Sequence, residues 1–155
     1  MQTRSIESLS YEELLQTFKT ILRNNNLKFT AQREAILKTL YDHPGHFTPE
    51  DLYLLVKKEC PQLNTGITTV YRTLNLLEEN KLVTSLSFGI QGKKFELGNK
   101  SHHDHIICEK CGAIVEFEDP DIENLQQKIA TKLGFKLTNH LLQLYGICKK
   151  CQEQE

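Results

Sequence analysis

Residues 65–97 read TGITTVYRTLNLLEENKLVTSLSFGIQGKKFEL. Val70, Tyr71, Leu74 and Leu77 recur at helical spacing, which predicts an amphipathic helix over 65–80. The pattern then changes to two short runs, 82–88 and 93–97, flanking Gly89-Ile90-Gln91-Gly92. Two such runs around a short Gly-containing connection predict a β-hairpin. Upstream, Thr48-Pro49-Glu50-Asp51 is a strong helix start: Thr caps, Pro takes the first turn, and the acids face the positive end of the dipole. That helix carries Leu52, Leu55 and Val56 as far as Cys60-Pro61. Another helix begins near Thr30, buries Ile36, Leu37 and Leu40, and ends at the loop Asp42-His43-Pro44-Gly45. Three helices followed by a hairpin make a winged helix-turn-helix. The helix from Thr65 is then the recognition helix and the hairpin the wing. Thr68, Thr69, Tyr71 and Arg72 are its candidate DNA-reading residues, with core aromatic as the alternative role of Tyr71. An extra helix precedes this module. Ser10-Tyr11-Glu12-Glu13 has the form of a capping box, Leu14, Leu15, Phe18, Ile21 and Leu22 follow, and Asn24-Asn25-Asn26 ends it.

Downstream the pattern changes character. Gly98-Asn99-Lys100-Ser101 is polar and separates two unlike halves, so 98–101 is the expected hinge. Short strands are predicted around Ile106-Ile107 and at 113–117. Asp119-Pro120-Asp121 opens a helix with Ile122, Leu125, Ile129 and Leu133 on one face. Further strands are predicted at 135–140 and 142–147. The expected class is α+β. A winged-helix DNA-binding domain spans 1–97, and a small α/β domain spans 102–155. The second is near the size at which a metal or a partner subunit is needed for stability.

That second domain holds the densest chemistry. Cys108 and Cys111 form one Cys-x-x-Cys pair, Cys148 and Cys151 another. Thiolates so paired suit a tetrahedral structural zinc site, provided the fold brings the distant pairs together. A redox dithiol beside an unrelated pair is the alternative. Just before them stands His102-His103-Asp104-His105. In an extended chain alternate residues face opposite ways, so His103 and His105 point to one side and His102 and Asp104 to the other. One tetrapeptide can thus feed two metal sites. The candidate partners are Glu96, Glu116, Glu123, His140 and His46. His43 reads as surface, Cys60 as a partly buried apolar residue. A DNA-reader pattern joined to a metal-rich half is most simply a metal-responsive transcription factor.

Composition sets bounds. The 155 residues carry 19 Lys+Arg against 20 Asp+Glu, so global charge announces no nucleic-acid binding and a DNA surface must be a local patch. No apolar run approaches a membrane span, and no apolar segment follows Met1-Gln2-Thr3-Arg4-Ser5 as in a secretion signal. Four cysteines in two such pairs, in a chain without that signal, favour metal over disulfides and a cytoplasmic location.

Several stretches resemble the ferric uptake regulator family. They are Thr68-Thr69-Val70-Tyr71-Arg72-Thr73-Leu74-Asn75, His102 through Gly112, and Ile114-Val115-Glu116-Phe117. Leu27-Lys28-Phe29-Thr30 with Arg33, and Leu137-Thr138-Asn139-His140 before Tyr145-Gly146, match as well. The resemblance covers nearly the whole chain, about residues 14 to 151. It implies a dimeric bacterial repressor, with a tetramer as a further state, that binds double-stranded operator DNA when a regulatory metal is loaded.

The resemblance further implies three metal sites. The four cysteines match structural zinc. His46, Glu96, His103, His105 and Glu116 match a regulatory site. His102, Asp104, Glu123 and His140 match an auxiliary site. Lys28 matches a minor-groove lysine. The peroxide-sensing branch carries Asp where this chain has Glu96 and Glu116, and zinc sensors carry a Cys in the regulatory shell, so the iron-sensing branch is favoured. Fe(II) is the expected regulatory ion, with Mn(II), Co(II) or Zn(II) able to substitute in a mixed His/carboxylate shell. The alternatives are a zinc- or peroxide-sensing member of the family, a zinc hydrolase using the His cluster, and a metal-storage protein. No residue pattern resembles a substrate cleft with a nucleophile, and a storage protein leaves the helix-turn-helix half unexplained.

Overall fold

The computed structural model describes residues 9–98 and 103–154. Asn99, Lys100 and Ser101 of the expected hinge, and His102, lie outside the described residues. The chain divides into two compact units, Met1–Lys100 and Ser101–Glu155.

The described part of the first unit is built from α1 (Tyr11–Asn24), α2 (Ala31–Asp42), α3 (Pro49–Glu59), α4 (Ile67–Glu79), β1 (Val83–Ser87) and β2 (Lys93–Leu97). Local chemistry sets each start. Ser10 caps α1, and Glu13 returns a bond to the Ser10 amide, completing the capping box. Thr30 caps α2 and Thr48 caps α3, with Pro49 in its first turn. Asn26 ends the α1 turn in the left-handed region (φ 55°), which lets the Leu27 amide reach the Leu22 carbonyl at 2.8 Å. One core joins the helices to the hairpin. Leu14, Phe18, Ile36, Leu37, Leu52, Val70, Leu74 and Leu77 are fully buried, with Val83 and Phe95 beneath them. The α1 helix belongs to this core: it is no loose appendage. Cys60 packs half-buried against the same cluster.

Tyr71 departs from the expected apolar stripe of α4. It stands outside the line of Val70, Leu74 and Leu77 and is 41% exposed. Thr73 and Leu76 are buried instead. A stripe that starts at Val70 continues at positions 73, 74 and 77, one residue out of phase with Tyr71. The wing pairs β1 antiparallel to β2, Val83 opposite Leu97, around a 3-10 turn at Gly89–Gln91. Gly92 (φ 78°) closes that turn in a region costly for other residues. Phe47, in the segment before α3, bridges Phe95 through two backbone bonds of 2.9 and 2.7 Å.

The second unit contains β3 (Asp104–Cys108), β4 (Ile114–Phe117), α5 (Pro120–Lys132), β5 (Gln143–Gly146) and α6 (Lys149–Gln152). Its sheet has the order β4-β3-β5, with β4 antiparallel and β5 parallel to β3. The strand expected at 135–140 does not form. That stretch alternates suitably, but a strand needs a backbone partner, and it joins neither outer edge of the β4-β3-β5 sheet. The expected strand 142–147 is the shorter β5. The α6 turn is too short to show a helical period in the sequence. No helix among the described residues is long and apolar enough to cross a membrane.

Candidate metal and DNA-binding sites

The cysteine site follows from sheet register. Parallel pairing sets Cys108, the last residue of β3, opposite Gly146, the last of β5. Two residues beyond Gly146 the chain reaches Cys148, which caps α6, and one turn later Cys151. On the other side Gly112 (φ 75°) turns the chain after Cys111, its amide bonding the Cys108 carbonyl at 2.9 Å. The four sulfurs all lie within 4.8 Å of one another. Cys111 Sγ and Cys148 Sγ are 3.8 Å apart. A tetrahedral ion with bonds near 2.3 Å spaces its sulfurs by about 3.8 Å, so the donor set fits zinc. Hydrogen bonds from the Cys111 and Cys148 amides, at 3.5 and 3.4 Å, push the Cys108 thiol down to about 6. Cys151 is pushed up to about 12, first by its hydrogen bond to Cys148 and then by burial. The backbone thus prepares one thiolate, and four charges cannot crowd together without a cation among them.

The histidines separate by pleat. His105 lies opposite Glu116 in the β3–β4 register. His103, just before β3, faces the same way: its ring is 4.8 Å from that of His105, and its Nε2 is 3.4 Å from Glu116 Oε1. Asp104 points to the other side, buried, with Oδ1 3.3 Å from His140 Nε2. The same nitrogen lies 3.2 Å from Glu123 Oε1 on α5. Bonds near 2.1 Å around a tetrahedral ion give ligand spacings of about 3.4 Å, so Asp104, Glu123 and His140 are spaced to hold one. The first unit contributes a separate pair. The Phe47–Phe95 bridge sets His46 beside Glu96 on β2, with Nε2 3.0 Å from Glu96 Oε2 and both side chains mostly buried. The His46 ring meets Phe88 edge-on at 5.4 Å.

The candidate DNA surface is the exposed side of α4. Thr68, Tyr71 and Arg72 are exposed there and Thr69 is half-buried. Unlike α1, α2 and α3, α4 has no acid in its first turn. Lys28 is exposed in the segment between α1 and α2, and Arg33 donates a guanidinium hydrogen bond to its carbonyl. One contact has no signal in the sequence. The Tyr71 hydroxyl donates to Glu50, which in the sequence reads only as an acid favouring the start of α3. No local pattern links positions 21 residues apart; only the packing of α3 on α4 does.

A winged helix-turn-helix joined to a small unit dense in metal ligands defines a metal-responsive transcriptional regulator. The chain belongs to the ferric uptake regulator family, whose model matches residues 24–145. It is 59% identical over 150 residues to the ferric uptake regulation protein of Campylobacter jejuni, covering 97% of this chain and 96% of that one. Among solved structures it is similar to the Helicobacter pylori ferric uptake regulator, described as having three functional metal binding sites. That likeness has a TM-score of 0.84 and 35% identity over 97% of each chain. It is also similar to a zinc uptake regulator complexed with zinc and DNA, with a TM-score of 0.55 and 26% identity over 95% of this chain and 98% of that one.

Proposed function

We propose that this chain is an iron-responsive repressor, a cytoplasmic homodimer that binds operator DNA when its regulatory ligands hold Fe(II). The observation that carries the reading is the His46–Glu96 pair at 3.0 Å. His46, just before α3, and Glu96, on the wing strand β2, are suited to ligate a metal from within the DNA-reading unit. His103, His105 and Glu116 form the complementary set in the second unit. An ion shared by the two sets supplies a fixed link between units otherwise joined by a short connection. His46 and Glu96 then fix where the wing and α4 are carried, and His103, His105 and Glu116 fix them to the dimerising unit. Half-sites on DNA repeat every roughly 34–36 Å, so a dimer reads two of them only at one inter-unit angle. The ligands favour DNA binding to the extent that they hold metal better at that angle.

In this reading Cys108, Cys111, Cys148 and Cys151 hold structural zinc, and Asp104, Glu123 and His140, with His102, form an auxiliary site. Thr68, Thr69, Tyr71 and Arg72 contact the major groove and its phosphates, and Lys28 the minor groove. Glu at positions 96 and 116, and the name of the Campylobacter relative, support iron over peroxide sensing. The test is a gel shift with genomic fragments, with and without Fe(II) or Mn(II). Retarded fragments that depend on the ion are expected; binding of the same fragments with equal affinity after chelation overturns the reading.

A further inference from the structure

Glu50 and Tyr71 meet on the outer side of the helix-turn-helix. Glu50 sits in the first turn of α3, held by the Thr48 cap (Oγ1 to the Asp51 amide, 3.1 Å) and by Pro49. Tyr71 stands on the exposed side of α4, and its hydroxyl donates to Glu50 Oε1. An ionised carboxylate only accepts hydrogen bonds, and a phenol has one proton to give. With that proton committed to Glu50, the Tyr71 oxygen has only lone pairs left to present outward. The same bond raises the Tyr71 phenol above its ordinary range.

In the major groove adenine N6 and cytosine N4 offer amino donors, whereas guanine O6 and thymine O4 offer acceptors. Phosphate oxygens are acceptors as well and carry charge of the same sign as Glu50. We propose that Glu50 is a positioning and specificity residue for DNA reading. By holding the Tyr71 proton, it turns that hydroxyl away from the backbone and toward an amino-bearing base, adenine or cytosine. The inference rests on the proposed DNA-reading role of α4.

The test uses the full-length protein loaded with zinc and Mn(II), and duplexes that the wild type enriches from a randomised pool. The readout is the ratio of affinity for an enriched duplex to that for a scrambled duplex of the same composition. Glu50→Ala frees the phenol to donate to phosphate, and should lower the ratio by about ten-fold, the scale of one base contact. Glu50→Gln keeps an acceptor oxygen and removes the charge, so its ratio should stay within about two-fold of wild type. In a Tyr71→Phe background Glu50→Ala should add no further loss, since the two residues act as a pair. Pools enriched by Glu50→Ala should lose the adenine or cytosine preference at the contacted position. Equal loss in Glu50→Gln and Glu50→Ala, or an undiminished Glu50→Ala effect in the Tyr71→Phe background, overturns the assignment in favour of bulk charge. A wild type that enriches a motif while Glu50→Ala leaves the ratio unchanged overturns the role of Glu50 alone. A wild type that enriches nothing overturns the DNA-reading role of the chain.

Discussion

For individual residues, the cysteine quartet is the proposed staple of the second unit. Cys148 is both the cap of α6 and the sulfur 3.8 Å from Cys111. Cys148→Ser should release zinc and loosen the second unit, read as metal content beside far-ultraviolet circular dichroism; full zinc with unchanged dichroism would contradict the S4 assignment. The metal-stripped protein carries a pH signature. Cys108 falls from 9.0 to about 6, so its contribution is present above 9 and lost as pH drops through 6. Cys151 rises from 9.0 to about 12, so its contribution is intact below 9 and lost toward 12. Of these two thiols only Cys108 changes between pH 6 and 9, and the denaturation midpoint of the stripped protein should rise with pH across that window. The rise should be absent in Cys108→Ser; an equal rise in that variant removes Cys108 as its source.

At the scale of elements, α1 shows how a local signal and tertiary packing reinforce each other. The capping box at Ser10 and Glu13 satisfies two amides at the helix start, and Leu14 and Phe18 behind it are fully buried in the core of the first unit. Ser10→Ala should cost about 1 kcal/mol, and Phe18→Ala about 3–5 kcal/mol, with the melting temperature as the measure. If α1 were dispensable for that unit, Phe18→Ala would melt with the wild type. Short elements are less legible. The 135–140 stretch has the alternation of a strand, but the ladder that a strand requires is supplied by other residues, and no period announces α6. Tyr71 shows the same limit inside a helix: the spacing is that of a helix, and its phase is set by what the helix packs on.

At the scale of the whole molecule, the two units are expected to be coupled by metal and doubled by dimerisation. His103→Ala and Glu96→Ala each remove one proposed ligand from a different unit. Both should keep wild-type circular dichroism and lose ion-dependent operator binding in a gel shift; wild-type ion dependence in either withdraws that residue from the regulatory set. The outward side of α5 leaves Leu125 and Ile129 more than half exposed, as is Leu133 just past its end, with Phe135 beyond them at 72%. An apolar surface of that kind on a small unit calls for a partner. Leu133→Lys should shift sedimentation from dimer to monomer, and an unchanged dimer would place the interface elsewhere.

Elements with strong local causes are legible in the chain alone. Caps at Ser10, Thr30 and Thr48 are side chains bonding amides three residues away, so their logic is contained in a few letters. The pleat that sends His103 and His105 one way and Asp104 the other is likewise a property of any extended chain. Tertiary structure alone decided which distant residues meet. Cys108 reaches Cys148 because β5 runs parallel to β3 in one particular register, and His46 reaches Glu96 because Phe47 bridges Phe95. Glu50 reaches Tyr71 because α3 packs on α4. Such contacts arise from the burial of whole faces, which no local window of sequence contains.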